Sequence, residues 1–143
     1  MASPKRLRVL IIDDNEMIRA LLRSIIQQSE TYEVVGHACC GRTGMEQVGN
    51  LKPDIVCLDV HMPNGNGLDI LEQIRHAFPA VAVLMITASN DMVTVQTALR
   101  RGADGFIIKP FTSITVLDAM KKSNAMQQLR LFPVWKAPSV NGK

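Results

Sequence analysis

The 143-residue chain lacks the features that mark several large classes of protein. It has no apolar run close to the ~20 residues of a membrane-spanning helix, and the apolar stretch after its basic N-terminus falls short of the ~7–15 residues of a signal-peptide core. Three cysteines, two of them adjacent, make a poor disulfide framework, and none has the CxxC spacing of a zinc site. The sequence therefore predicts a cytoplasmic protein without a membrane segment.

Acidic residues are absent from both ends of the chain. All 13 of them lie between residues 9 and 120, together with eight of the 16 basic residues, and the other eight basic residues lie outside that stretch. The net charge of +3 therefore combines an acidic body with two basic ends. Because the basic residues do not form one patch, the charge does not indicate direct nucleic-acid binding.

Hydrophobic residues make up 47% of the chain, which at this length predicts one folded domain with a sizeable core. Short apolar runs rich in Val and Ile recur at Val9–Ile12, Val34–Val35 with its extension to Ala38, Ile55–Leu58, Val81–Ile86 and Phe106–Ile108. Runs without alternation are typical of parallel strands that are buried on both faces. Each run is followed by apolar residues at helical spacing, so we expect five strand–helix units in an α/β fold.

Polar residues follow four of these runs. Asp13 and Asp14 come after the first, Asp59 after the third, Thr87 after the fourth and Lys109 after the fifth. Ligands of open parallel sheets bind at the carboxyl ends of the strands, so these side chains should converge. Three carboxylates repel one another unless a cation lies among them, and oxygen ligands favour a hard cation such as Mg²⁺. A lysine and a hydroxyl beside one carboxylate suit phosphoryl transfer to that carboxylate, which would form an acyl phosphate.

Each of these residues, taken alone, also fits an ordinary structural role. Asp13 and Asp14 could cap the helix that follows or stabilise its first turn, and Asp59 could begin a turn that includes the Pro-Asn-Gly at 63–65. Lys109 could be a solvated surface charge. Their joint placement at one edge of the predicted sheet favours the metal and phosphoryl site.

Four sequence blocks resemble the signature of receiver domains of two-component response regulators. They are Val-Leu-Ile-Ile-Asp-Asp (9–14), Leu-Asp-Val-His-Met-Pro (58–63), Ile-Thr-Ala (86–88) and Ile-Lys-Pro-Phe (108–111). The resemblance implies a flavodoxin-like, CheY-like (βα)5 fold of three layers, with a five-stranded parallel sheet of order 2-1-3-4-5. It implies a receiver domain over residues 6–122 and a C-terminal extension, a tail or linker, over residues 123–143.

The resemblance also implies roles for the site residues. Asp59 would accept a phosphoryl group from the phosphohistidine of a sensor histidine kinase or of a histidine phosphotransfer protein. Asp14 would bind Mg²⁺ (or Mn²⁺) directly and Asp13 largely through water, with the Asp59 carboxylate and the backbone carbonyl of His61 completing the protein ligands. Lys109 would pair with Asp59 and then bind a phosphoryl oxygen.

A conformational switch is part of the same resemblance. Thr87 would turn toward the phosphoryl group, and Phe106 would fill the space that Thr87 vacates. The Lys109–Pro110 peptide would be cis.

The resemblance further implies that the side chains of His61 and Ser89 would border the path of the hydrolytic water. We hypothesise that they set the lifetime of the phosphoryl group.

The implied output is binding through the surface of the fourth helix, fifth strand and fifth helix, either to a downstream protein or to a second copy of the chain. Catalysis would be limited to self-phosphorylation and slow autodephosphorylation. The chain could be a stand-alone, chemotaxis-type regulator or the receiver part of a longer regulator with a C-terminal output domain. A remote alternative is a Mg²⁺-dependent phosphatase of the haloacid-dehalogenase type, which normally needs an Asp where this chain has His61.

Overall fold

The structure, a computed structural model, describes residues 5–63, 65–88 and 91–132. Strands and helices alternate along the chain as β1 (Leu7–Ile12), α1 (Glu16–Gln27), β2 (Tyr32–Ala38), α2 (Gly41–Leu51), β3 (Ile55–Asp59), α3 (Gly67–Ala77), β4 (Ala82–Ala88), α4 (Met92–Arg100), β5 (Gly105–Lys109) and α5 (Ser113–Leu131). Within those ranges, no helix combines the length and the hydrophobicity that a bilayer span requires. Ser89 and residues 133–143, including Trp135, lie outside the described residues.

All five strands form one parallel sheet in the order β2-β1-β3-β4-β5. The predicted fold and strand order are therefore confirmed. In the register of the sheet, Asp59 lies beside Ile86 of β4, and Lys109 lies beside Ala88. Because the strands are parallel, their carboxyl ends meet at one edge, and the polar residues that follow them share that edge.

Successive residues of a strand pack into two separate hydrophobic cores, one on each face of the sheet. Leu10 and Ile12 belong to a core formed with residues of α2, α3 and α4, whereas Val9 and Ile11 belong to a core formed with residues of α1 and α5. Neighbouring side chains of a strand point to opposite faces, so a sheet covered on both sides needs apolar residues at every position. Each fully buried Ile or Leu contributes roughly 1.5–3 kcal/mol to the free energy of unfolding.

Polar side chains begin four of the helices. A side-chain oxygen accepts a hydrogen bond from a backbone N–H of the first turn at Asn15 in α1, Asn66 in α3, Asp91 in α4 and Thr112 in α5. These oxygens satisfy donors that a helix start otherwise leaves unpaired. The caps fix where the chain turns from the carboxyl edge of the sheet into each helix.

Two features of the connections differ from the sequence pattern. The loop after β3 contains a short antiparallel pair, His61–Met62 with Gly65–Asn66, where the sequence indicated only a turn. Helix α2 begins at Gly41, a full turn before its first apolar residue, Met45. A Cβ added at Gly44 would lie 2.6 Å from the Cδ1 atom of Ile12, so this turn packs through a glycine. Hydrophobic spacing gives no signal for such packing.

Helix α5 continues to Leu131, through the boundary expected at residue 122. The Nε atom of Arg130 lies 3.0 Å from Oδ1 of Asp104, and Nη2 of Arg75 lies 3.0 Å from Oδ2 of the same carboxylate. The backbone N–H of Val83 also donates to Asp104, at 3.0 Å. One buried carboxylate therefore joins α3, β4 and the end of α5, at the edge of the sheet away from the polar residues.

Candidate functional site

Asp59 occupies the centre of the carboxyl edge. It ends β3, the middle strand of the sheet, and only 3% of its surface is exposed. The backbone N–H of His61 donates to its Oδ1 atom at 3.2 Å. A buried carboxylate held on a central strand presents its oxygens to the residues that follow the neighbouring strands.

Asp13 and Asp14 lie beside Asp59. One carboxylate oxygen from each of the three residues lies within 4.8 Å of the others. Asp13 is fully buried, and its Oδ1 atom accepts a hydrogen bond of 2.8 Å from the N–H of Asn15. Its Oδ2 atom is buried and has no hydrogen-bond partner within the described part of the chain.

This cluster fits a hard divalent cation. The donors are all carboxylate oxygens, which Mg²⁺ and Mn²⁺ prefer, and a buried unpartnered oxygen is costly unless a ligand satisfies it. Asp14 is exposed and lines a cavity of about 490 Å³ together with the His61–Pro63 segment, so solvent reaches the cluster from that side.

The carboxyl groups of Asp59 and Asp13 hold protons more tightly than isolated carboxyl groups do. The pKa of Asp59 is raised to about 6, chiefly by burial and then by the negative charge of Asp13, and the ammonium of Lys109 opposes both effects. Burial likewise raises the pKa of Asp13. Because burial disfavours the ionised form of both carboxyl groups, a bound cation would stabilise that form and lower both pKa values.

Lys109 approaches Asp59 from the edge strand of the sheet. Its Nζ atom lies 3.8 Å from Oδ1 of Asp59, and 35% of its side chain is exposed. The Lys109–Pro110 peptide is cis, as the resemblance implied. The ammonium therefore lies within ion-pair distance of the buried carboxylate and has room to move to a group attached there.

Thr87 lies at the same edge of the sheet. The residue is 1% exposed, and its Oγ1 atom has no partner among the described residues. Because Asp59 pairs with Ile86, Thr87 stands one position farther toward the carboxyl edge. A buried unpaired hydroxyl is costly, so its position suits a ligand or a group that is present only part of the time.

Phe106 lies on β5 between the core and an open cavity. Its half-buried ring packs against the core on the side of α2, α3 and α4. It also lines a cavity of about 330 Å³ between β5 and α5, with Ile108, Thr115 and Ala119. The ring therefore has free space beside it, which a rotating side chain needs.

The structure brings most of the predicted site residues together. Asp13, Asp14, Asp59 and Lys109 form one cluster, and Thr87 lies at the same edge of the sheet. The side chain of His61 is exposed, whereas its backbone contacts Asp59. Ser89, which was also predicted, falls outside the described residues.

Sequence reasoning missed three residues that position the site. The Arg19 guanidinium donates to the carbonyl oxygen of Asp13 at 2.7 Å, one turn into α1. Gly67 lies against the end of β3, and its N–H donates to the carbonyl oxygen of Val60 at 2.7 Å. Asp91 caps α4 and lies near His61. Only Asp91 had a sequence signal, an acidic residue directly before a helical pattern.

Comparison with known proteins identifies relatives over most of the chain. The family model "Response regulator receiver domain" matches residues 9–121. The chemotaxis protein CheY of Thermotoga maritima is 39% identical over 115 residues, which cover 80% of this chain and 95% of that protein. The probable C4-dicarboxylate response regulator DctR of Halalkalibacterium halodurans is 36% identical over 112 residues, or 78% of this chain. The match spans only 49% of DctR, about half of its length.

Solved structures give the same result. The response regulator domain of Thermotoga maritima CheB superposes with a TM-score of 0.73 at 32% sequence identity, and the match covers 89% of this chain and 98% of that one.

Proposed function

Because this chain belongs to the family of response regulator receiver domains, we propose that Asp59 is its phosphoacceptor. The observation that carries the proposal is the placement of one buried carboxylate between a carboxylate pair and an ammonium. Asp13 and Asp14 favour the binding of a cation, and the Lys109 ammonium favours the ionised form of Asp59. The ionised carboxylate is the form that acts as a nucleophile.

The proposed reaction transfers a phosphoryl group from a phosphohistidine of a histidine kinase or a histidine phosphotransfer protein. A carboxylate oxygen of Asp59 forms a bond to phosphorus, the P–N bond breaks, and the imidazole leaves with the electron pair and takes up a proton. Lys109 holds one phosphoryl oxygen. Its Nζ atom lies 3.8 Å from Oδ1 of Asp59, close enough to reach a group attached there. Positioning and charge neutralisation supply most of the catalysis in such a transfer.

Asp13, Asp14, Asp59 and the backbone carbonyl of His61 are the proposed ligands of Mg²⁺ or Mn²⁺. When bound, the ion neutralises charge that develops on the phosphoryl oxygens. The buried Oδ2 atom of Asp13, which has no partner among the described residues, supports this assignment, because a bound cation would satisfy an oxygen that is otherwise costly to bury.

We propose that the phosphoryl group acts on the rest of the domain through Thr87 and Phe106. The unpaired hydroxyl of Thr87 would donate to a phosphoryl oxygen, and the ring of Phe106 would move into the space that Thr87 leaves. The change would reach the face of α4, β5 and α5, where Val93, Ile108 and Ile114 are exposed. A downstream protein or a second copy of the chain would bind there.

The relatives include both single-domain and longer regulators. CheY is matched over nearly its whole length, and DctR over about half. We propose that the chain acts either as a stand-alone regulator or as the receiver part of a longer one. The division into a receiver at residues 6–122 and an extension at 123–143 remains a prediction, and α5 continues across it to Leu131.

We propose that the chain does not turn over a metabolite. The exposed His61 lies two residues after Asp59. A haloacid-dehalogenase-type phosphatase would have a carboxylic acid at that position. The reactions assigned to the domain are its own phosphorylation and slow autodephosphorylation.

Incubation with Mg²⁺ and acetyl phosphate, followed by intact-mass analysis, tests the central assignment. The wild-type chain should gain the mass of one phosphoryl group, and Asp59→Asn should gain none. Asp54→Asn is a matched control, because Asp54 lies before β3 and accepts a hydrogen bond from the backbone N–H of Arg8 at 2.8 Å. A phosphoryl group that persists in Asp59→Asn would overturn the assignment.

A further inference from the structure

The side chain of His61 lies at the rim of the site on a fixed piece of backbone. The backbone N–H of His61 donates to Oδ1 of Asp59 at 3.2 Å. His61 also pairs with Asn66 in the short antiparallel ladder. The backbone at His61 is therefore held by the phosphoacceptor on one side and by the hairpin on the other. The imidazole itself is 72% exposed, so its position depends on what it contacts beyond the loop.

The contact it makes is with Asp91. The Nε2 atom of His61 lies 3.6 Å from Oδ2 of Asp91. The other oxygen of that carboxylate, Oδ1, accepts a hydrogen bond of 3.2 Å from the N–H of Thr94 and so caps α4. The two oxygens of the Asp91 carboxylate therefore contact different segments: one contacts the loop after β3, and the other caps the first turn of α4.

Asp91 also stands close along the chain to the proposed switch. It follows Thr87 by four residues, and its carbonyl oxygen accepts a hydrogen bond from Val95 at 3.1 Å within α4. The contact with His61 therefore connects the loop that carries the phosphoacceptor with the segment that leads from Thr87 into α4. Among the described residues, the imidazole has no hydrogen-bond or ion-pair partner other than Asp91.

We propose that Asp91 is a positioning residue that acts through His61: it holds the imidazole against the start of α4, to one side of Asp59, and so keeps the acyl phosphate open to the hydrolytic water. This inference rests on the proposed function, since it concerns the lifetime of a phosphoryl group on Asp59. When the contact is lost, the imidazole is free to turn over the acceptor and shield it.

The test is a double-mutant cycle on the rate of phosphoryl loss. Asp91→Asn replaces the carboxylate that contacts the imidazole by an amide but keeps a capping oxygen, and Asp91→Ser keeps a cap that is too short to reach His61. Both variants should lengthen the phosphoryl lifetime by about two- to fivefold, a modest effect because the contact is exposed. In a His61→Ala background the same two changes should have no effect.

Hydrogen exchange at the Thr94 amide serves as the structural control. It should be unchanged in Asp91→Asn and Asp91→Ser, because the cap remains. Faster exchange in either variant would show that the cap was lost, and a change in lifetime without dependence on His61 would then report a purely structural role. Equal effects of the Asp91 changes with and without His61, or no effect in the wild-type background, would overturn the inference. Failure of the wild-type chain to take up any phosphoryl group would instead overturn the proposed function, and the inference with it.

Discussion

Gly67 lies directly against Asp59. A Cβ atom added at Gly67 would lie 2.8 Å from the Cα atom of Val60 and closer still to the carbonyl oxygen of Asp59. The N–H of Gly67 meanwhile donates to the carbonyl oxygen of Val60 at 2.7 Å. The start of α3 can approach the end of β3 only because residue 67 has no side chain. The position of the proposed phosphoacceptor therefore depends on a glycine eight residues farther along the chain.

Gly67→Ala should destabilise the domain by about 1–3 kcal/mol, since the backbone around Asp59 must shift to accept a methyl group. Gly65→Ala is the matched control in the same loop, because an added Cβ there meets nothing within 4 Å. Urea unfolding of both variants gives the comparison. Equal stabilities of the two variants would show that the close approach at Gly67 has no energetic consequence.

Asp59→Asn should stabilise the domain at neutral pH. A carboxyl whose pKa rises on folding, here from 3.8 to about 6, binds protons more tightly in the native state, so its ionisation lowers the free energy of unfolding as the pH rises through that window. Removing the charge should therefore raise that free energy by about 1–3 kcal/mol above pH 6 and change it little below pH 4.

Unfolding of Asp59→Asn and the wild-type chain at several pH values, with and without Mg²⁺, measures this difference. Added Mg²⁺ should reduce it, because the ion stabilises the ionised cluster of the wild-type chain. A stability difference that does not change between pH 4 and 7 would contradict the assigned electrostatics.

Thr87→Val should separate stability from signalling. The Oγ1 atom of Thr87 is buried without a partner in the described ranges, so replacing the hydroxyl by a methyl group should cost at most ~1 kcal/mol and could raise stability. Phosphorylation of the wild-type chain should change hydrogen exchange in α4 and β5, and the phosphorylated variant should lack that change. A full response in Thr87→Val would exclude its hydroxyl from the switch.

Asp104→Ala should be among the most damaging changes outside the site. The Asp104 side chain is 2% exposed and pairs with both Arg75 and Arg130, so its removal leaves two half-buried guanidinium groups without their carboxylate. Loss of one member of a buried pair typically costs about 3–5 kcal/mol. Asp118→Ala is the control, because its pair with Lys122 is exposed and should contribute less than about 1 kcal/mol. Similar thermal denaturation of the two variants would contradict this role of Asp104.

Most of the fold could be predicted because its signals are local. Each buried strand has a continuous apolar run, and each helix has apolar residues at helical spacing, so β1 and α1 can be recognised without any knowledge of their neighbours. The site residues were predictable for a related reason. Asp13 follows β1, Asp59 and Lys109 end β3 and β5, and parallel strands bring their carboxyl ends to one edge whatever the details of packing.

Some features that sequence reasoning missed depend on contacts between distant parts of the chain. Arg130 contacts Asp104, which lies 26 residues earlier in the chain, and the hydrophobic periodicity of α5 gives no signal of that contact. The first turn of α2 escaped prediction because Gly44 packs by its lack of a side chain. Such features depend on which surfaces face each other after folding, and that information is not local.

The sequence by itself determined the chemistry of this protein: three carboxylates, a hydroxyl and an ammonium at the ends of parallel strands. Only the tertiary structure decided how that chemistry is tuned. It buries Asp59 and thereby raises its pKa to about 6, and it leaves the Thr87 hydroxyl without a partner in the described residues. It also turns the His61 side chain toward Asp91. Burial, unmet hydrogen bonds and contacts across loops are properties of the packed chain, because each depends on atoms that folding brings together from separate elements.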